Sequence, residues 1–252
     1  MRGLAARFAF PVPPPVSGTC SRERKKATAA GRYPLYKDAV PANNGRMSEY
    51  VIGLTGGVAS GKSALERAFA ARGIGIADAD RVAREIVEPG EPALAEVVAR
   101  FGQGVLQADG HLDRAALRAR VFGNEIERRA LEEILHPRIR LRMQALCRDA
   151  TSPYAIATIP LLTEGGGRAA YPWLSRILVV DVPRGVQKRR LMLRDGIDDA
   201  LAERMLDAQA SRHERLALAD DIVVNDGDIG HLEHAVSELD TRYRRLAAGS
   251  IR

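Results

Sequence analysis

A chain of 252 residues, 46% hydrophobic but only 5% aromatic, can bury one aliphatic core or one core with a small appended lobe. No stretch approaches the roughly 20 apolar residues of a membrane span, which excludes a helical membrane protein. The formal charge of +6 hints at nucleic acid, but residues 1–46 hold nine Lys/Arg against two Asp/Glu; that +7 leaves −1 for the rest, so no nucleic-acid partner is indicated.

Residues 1–46 are Arg-rich, acid-poor and broken by Pro11, Pro13, Pro14 and Pro15. Organelle transit peptides and disordered tails share those features. Met47 sits just before the first apolar run, where a domain would begin, so an over-extended reading frame is a third reading. Under all three the segment is a dispensable leader, and the expected folded part is 47–252. Cys20 and Cys147 are isolated thiols with neither metal-ligand spacing nor a disulfide framework. That usage fits a reducing compartment and a cytoplasmic location.

The first apolar run, residues 50–54, leads into Gly56-x-x-x-x-Gly61-Lys62-Ser63, the spacing of a phosphate-binding loop. Glycines let the backbone curl so that successive N–H groups point at phosphate oxygens, and the following helix adds the positive end of its dipole. Lys62 then bridges the outer phosphates, and Ser63 is the expected hydroxyl ligand of Mg²⁺. Residues 64–69 have helical periodicity, so the strand and helix that the motif requires are both present. A chance Gly-rich turn would lack those flanks.

The second run, 75–77, ends at Asp78-Ala79-Asp80. Two residues apart in extended geometry, both carboxylates project to one side. Either can take the proton of an attacking hydroxyl or hold Mg²⁺ through water. Asp80 ranks first as base and Asp78 second, although Asp80 is also placed to cap a helix beginning at Arg81. About 75 residues separate this run from the third. A crossover needs far fewer, and the excess reads as an inserted helical lobe over about 81–150, the natural holder of a second substrate. Helices should start at Pro92 and Asp113, with a turn at Asp109-Gly110, and His136-Pro137 should close a helical stretch over 131–135.

Runs at 154–159, 176–180 and 221–224 complete five strands alternating with helices, the pattern of a parallel sheet covered on both faces. Ligands in such sheets sit beyond the carboxyl ends of the strands. Polar groups cluster there, in Pro160 to Glu164, at Asp181 and in Asn225-Asp226-Gly227. Glu164 either orients substrate or pairs with an arginine. Asp181 reads equally as a metal-holding acid or a strand-ending aspartate, and Trp173 as a packing residue. Between the fourth and fifth runs, Gln187-Lys188-Arg189-Arg190, Arg194-Asp195 and residues 209–215 form a basic helical hairpin. Its crowded like charges need an anion to relieve them; the rival reading is a solvated charged face.

Together these segments resemble the dephospho-CoA kinase family. The resemblance is carried by Ile52-Gly-Leu-Thr-Gly-Gly57 with the phosphate loop, Asp78-Ala-Asp80-Arg-Val-Ala-Arg84, Leu135-His-Pro137 and Pro160-Leu-Leu-Thr-Glu164. Leu178-Val-Val-Asp-Val182, Arg190 with Arg194-Asp195, Gln209-Ala-Ser-Arg212 and the segment from Ala219 to Gly227 continue it, in family order over residues 50–247. It implies a three-layer α/β/α fold of the P-loop type with a five-stranded parallel sheet. The implied core covers 50–80, 151–182 and 220–247, with the lobe for the CoA precursor and a helical lid over about 183–219.

The implied reaction is ATP-dependent phosphorylation of the ribose 3′-hydroxyl of dephospho-CoA, with Mg²⁺, by a monomer or weak homo-oligomer. Carried onto this chain, Gly56, Gly57, Ala59, Ser60, Gly61, Lys62, Ser63 and Ala64 hold ATP, and Asn225 and Gly227 lie near the adenine. Asp80, Lys62, Arg190 and Asp78 are the catalytic set. Arg84, His136, Glu164 and Arg212 join the two aspartates in binding the acceptor. Three positions depart from the family: Ala59 replaces a common glycine, tolerable if φ is negative; Thr163 replaces an apolar residue; Ala64 stands where a hydroxyl is common. Another P-loop small-molecule or nucleoside kinase is the alternative, because fold and loop serve many acceptors. A GTPase switch ranks lower, since Asn225-Asp226-Gly227-Asp228 lacks the guanine-motif lysine and Asp181-Val-Pro-Arg184 lacks the switch glycine.

Overall fold

The computed structural model describes residues 48–227 and 229–249; the leader, Cys20 and Met47 lie outside the described residues. Five short strands, β1 (Val51–Gly56), β2 (Gly75–Asp78), β3 (Ala155–Thr158), β4 (Arg176–Asp181) and β5 (Asp221–Val224), pair in parallel in the order β2-β3-β1-β4-β5. β1, β3 and β4 are buried almost throughout, as a parallel sheet flanked on both faces requires. Side chains alternate between the faces. Ile52, Leu54, Leu178 and Val180 pack with Leu65 and Phe69 of α1 (Lys62–Ala70) and with Val236 and Tyr243 of α10 (Ile229–Gly249). Val51, Ile177 and Val179 face the other way.

That second face receives the insertion between β2 and β3: α2 (Ala79–Glu85), α3 (Pro92–Phe101), a 3₁₀ turn at Gln103–Val105, α4 (Arg114–Val121) and α5 (Glu125–Arg148). The expected helix starts are present. Pro92 opens α3, and the Asp113 carboxylate accepts the Ala115 and Ala116 amides at 2.9 Å to cap α4. Gly110 turns at φ 85°, as expected of Asp109-Gly110. The insertion has no core of its own: Leu94, Val97, Phe101 and Leu117 join Ala77, Ala157 and Ile177 of the sheet in one continuous apolar cluster.

His136-Pro137 does not close a helix. α5 runs through Pro137 to Arg148. An internal proline removes one N–H and crowds the preceding turn, at roughly 3 kcal/mol. Here Leu131, Leu135, Ile139, Met143 and Cys147 bury one stripe against the sheet. At about 1.5–3 kcal/mol per large aliphatic side chain, the stripe outweighs the break. Cys147 is packing too, its thiol pushed up to about 12 by burial.

After a single-turn α6 (Gly167–Ala170) and β4, the basic segment folds as α7 (Arg184–Asp195), α8 (Asp199–Asp207) and α9 (Arg212–Ala217), three helices where a hairpin was expected. The short α9 starts on a reciprocal cap between Ser211 and Glu214. The crowded charges of α7 are partly answered from within. Arg184 pairs with Glu203 and Asp207, and Lys188 with Asp199 at 2.7 Å and Glu203 at 3.0 Å. The buried Leu191, Ala202 and Leu206 of α7 and α8 belong to neither main apolar cluster. Trp173 packs against the larger cluster, edge-on to Tyr171, as a packing residue should.

β5 is tied down by one carboxylate. Asp221, its side chain 2% exposed, accepts from Arg176 Nε and Arg242 Nη1 at 2.8 Å and from Tyr243 Oη at 3.0 Å. Burial alone would raise its pKa, but the bonds from Arg176, Tyr243 and Arg242 outweigh burial and hold it below the usual range. A depressed folded-state pKa stabilises above the unfolded value of about 3.9, and that stability is lost as pH falls through the folded value. Asp221→Asn should cost about 2–3 kcal/mol in urea denaturation at pH 7 and flatten the acid limb of the stability profile. A variant indistinguishable from the parent at both pH extremes would remove this role.

Candidate active site

β1 hands the chain to the loop 57–61, which curls over the sheet before α1 begins. Gly61 caps α1 from the left-handed region at φ 92°, and a Cβ there would stand 2.1 Å from Asn225 Nδ2. Ala59 is left-handed too, at φ 56°, the one non-glycine residue with positive φ among the described residues. The condition for an unstrained alanine, a negative angle, is not met. The bracing of its neighbours imposes the angle: Asn225 Nδ2 holds the Ser60 carbonyl at 2.8 Å, and side chains bond both backbone groups of Val58. An L-residue there costs about 1–2 kcal/mol. Ala59→Gly should therefore gain about 0.5–1 kcal/mol, strain relief exceeding the extra freedom of the unfolded chain. A thermal melt reads the gain; an unchanged or lower Tm would contradict it.

The loop opens onto a cavity of about 480 Å³. Residues 58–63 form its floor, Glu66 comes from α1, Asp78 and Asp80 from the β2–α2 junction, Thr158 and Pro160 from the end of β3, and Arg190 and Arg194 from α7. Sheet order separates the charges. β2 with its acids lies on one side of β1, and β4 with the arginines of α7 lies on the other. Lys62, between them, donates from Nζ to the carbonyls of Gly56 and Gly57 at 2.7 and 2.9 Å. Arg190 Nη1 holds the Asn225 carbonyl at 3.0 Å, and Arg194 forks onto Asp195 at 2.7 and 2.8 Å.

The capping role falls on a different aspartate from the one expected. Asp78 caps α2, its Oδ1 accepting the Asp80 amide at 2.7 Å, while Asp80 stands inside the first helical turn. The helix begins two residues early, so Asp78 ends the extended strand while Asp80 projects from the helix. Both still reach the cavity.

A phosphate loop facing paired acids suits phosphoryl transfer to an acceptor hydroxyl, and a family model described as dephospho-CoA kinase matches residues 50–231. The chain belongs to the dephospho-CoA kinase family. It is 56% identical over 198 residues to a dephospho-CoA kinase of Xanthomonas oryzae pv. oryzae, covering 79% of this chain and 98% of that one. A dephospho-CoA kinase of Xylella fastidiosa is 56% identical over 202 residues, covering 80% and 97%. Among solved structures, TT1252 from Thermus thermophilus is 30% identical with a TM-score of 0.65, covering 77% of this chain and 98% of that one. The dephospho-CoA kinase of Campylobacter jejuni is 25% identical with a TM-score of 0.59, covering 79% and 98%. No helix among the described residues is long and apolar enough to cross a membrane.

Several residues expected at the site of a dephospho-CoA kinase do not line the cavity. Ala64 packs toward the core from α1, and Gly56 and Gly57 contribute carbonyls behind the floor. Asn225 braces the loop with its side chain, and Gly227 is exposed at φ 145°. Arg84 is exposed on α2; His136 sits mid-α5, its Nε2 buried without a hydrogen-bond partner and its pKa lowered by burial. Glu164 accepts the Ala210 amide at 2.8 Å. Arg212 forks onto Asp181 at 2.8 and 2.6 Å, and this bond first of all holds the Asp181 pKa below the usual range. Asp181 therefore anchors α9. Glu66 was missed. Burial, then the charge of Asp78, raises its pKa. Its spacing was the available signal, because a residue four after Lys62 shares its helix face.

Proposed function

We infer that the protein transfers the γ-phosphoryl group of ATP to the ribose 3′-hydroxyl of dephospho-CoA, giving coenzyme A and ADP in the last step of CoA biosynthesis. The observation that carries this reading is a cavity with the phosphate loop and Lys62 at its floor, acids on one side and arginines on the other. In such a transfer the protein supplies position, charge neutralisation and a base.

The loop amides left unpaired within the loop and the α1 dipole receive the phosphates, while the Ser60 N–H donates to the Gly57 carbonyl at 3.2 Å. Lys62 leaves the loop carbonyls for the outer phosphates, and Arg190 meets them from the lid with the rest of its five-donor fork. Asp80, in the first turn of α2 and lining the cavity, accepts the 3′-hydroxyl proton, while Asp78 caps that helix. The oxygen-only donor set of Ser63 and the neighbouring carboxylates suits Mg²⁺, which would neutralise phosphate charge when bound. No group of three or more His, Cys, Asp or Glu among the described residues could hold a metal ion, so phosphate and water would complete its shell.

We assign the acceptor's remaining contacts to the insertion, over about 81–150. Arg84 follows Asp80 by one turn of α2 and projects to the same side. His136 brings a buried, unpartnered nitrogen. Glu164 and Arg212 act through the lid they fasten.

ADP release with a panel of acceptors tests the assignment. Dephospho-CoA should exceed AMP, CMP and shikimate in kcat/KM by at least about 10³, the scale on which a site built around a substrate's polar groups rejects a poor match. Equal turnover across the panel would leave only a P-loop kinase of another acceptor.

A further inference from the structure

Two glutamines of the lid end on one residue of the phosphate loop. Gln187 of α7, 4% exposed, donates from Nε2 to the Val58 carbonyl at 2.9 Å. Gln209, between α8 and α9, accepts the Val58 amide through Oε1 at 2.7 Å. The chemistry fixes which end of each side chain is used, because a carbonyl needs a donor and an N–H an acceptor. Gly57 is the steric counterpart: a Cβ there would lie 2.2 Å from Gln187 Nε2 and 3.1 Å from Arg215 Nη2.

For loop N–H groups to face an anion, the intervening carbonyls must turn into the protein, where an unpaired carbonyl is costly. Here four of the carbonyls, those of Gly56, Gly57, Val58 and Ser60, meet side-chain donors. Lys62 serves Gly56 and Gly57, Gln187 serves Val58 and Asn225 serves Ser60. Lys62 must give up its carbonyls to reach phosphate, whereas the two amide donors have no second task. The lid has further anchors in the Glu164–Ala210 and Asp181–Arg212 contacts, so losing one glutamine leaves it attached.

We propose that Gln187 and Gln209 are positioning residues that couple the lid to the phosphate cradle through Val58, so that ATP is held tightly only while α7 and the α8–α9 connection are docked on the loop. This rests on the reading that the loop receives ATP. Removing either glutamine should weaken ATP and spare dephospho-CoA, and removing both should do little more than removing one, because each loosens the same residue.

Calorimetric MgATP affinity and steady-state kinetics are measured for Gln187→Met, Gln187→Lys, Gln209→Met and the double methionine variant. Each methionine variant should lose about tenfold in ATP affinity, equivalent to 1.4 kcal/mol, with KM for dephospho-CoA within about twofold of the parent. The double variant should lose about 10–20-fold rather than a hundredfold, and Gln187→Lys, which keeps a donor, should recover most of the loss. A lower Tm with parental ATP affinity, a hundredfold additive loss, or equal losses for both substrates would overturn the coupling. If the buried Gln187→Met fails to fold, the half-buried Gln209→Met carries the ATP-against-acceptor comparison alone. Calorimetry separates the two readings: a parent that binds MgATP but ignores dephospho-CoA sinks the proposed acceptor and leaves the glutamine test standing.

Discussion

Lys62→Ala should abolish turnover, with a fall in kcat of roughly 10³ or more, while the fold survives. Its ammonium lies at the cavity floor on the carbonyls of Gly56 and Gly57, where it can transfer to a phosphate by side-chain rotation alone. Charge on the transferring group is the main quantity the protein must offset, and a single aimed donor is worth about 10²–10³ in rate even when it is neutral. The structural cost is smaller. Two carbonyls lose a donor near a solvent-accessible cavity, at about 1–2 kcal/mol together. Circular dichroism and a ligand-free melt would report a native fold beside absent ADP release. Parental turnover would end the phosphate role of Lys62 and, with it, the assignment of this cavity.

Asp80→Asn should lower kcat by roughly 10²–10⁴ and leave KM for ATP nearly unchanged, since a carboxamide keeps the shape but cannot accept the 3′-hydroxyl proton. Asp78→Asn is the control that the geometry supplies. Asparagine caps as well as aspartate, and its carbonyl oxygen can still receive the Asp80 amide, so α2 should hold. A large fall for Asp78→Asn with Asp80→Asn nearly silent would reverse the two roles.

The confusion between these acids shows where sequence reasoning stops. The phosphate loop, the five strands and the starts of α3 and α4 were legible because local chemistry decides them: glycine spacing, apolar runs, proline at a first turn, aspartate at a cap. The junction after β2 was not. A helix starting at Ala79 rather than Arg81 moves the cap from Asp80 to Asp78, and intrinsic preferences do not resolve a boundary that finely. Pro137 failed for a different reason. Propensity ends a helix there, but the stripe of α5 that continues past it is held by the sheet, a tertiary term absent from any local window.

Charge was legible as composition but not as pairing. The basic segment after β4 sends Arg190 and Arg194 to the cavity, but its other charges find partners in α8 and in Asp181, 31 residues before Arg212. Ala59 could be picked out as the loop position to watch. Its sign of φ depends on Asn225, which reaches Ser60 from 165 residues away.

The two large helical insertions differ in what attaches them to the sheet. The one before β3 shares its apolar cluster; in the one after β4 Leu216 of α9 packs against that cluster, whereas the buried side chains of α7 and α8 lie outside both clusters and the tie from α7 to the loop is an amide contact. If α7 and α8 swing away together, water replaces hydrogen-bonded partners and little oily surface is uncovered. Opening would then carry almost none of the heat-capacity increase that marks exposure of a hydrophobic core. Its equilibrium should drift little as temperature changes, so an enzyme of this design can release product over a wide thermal range without loosening the body that holds its catalytic groups.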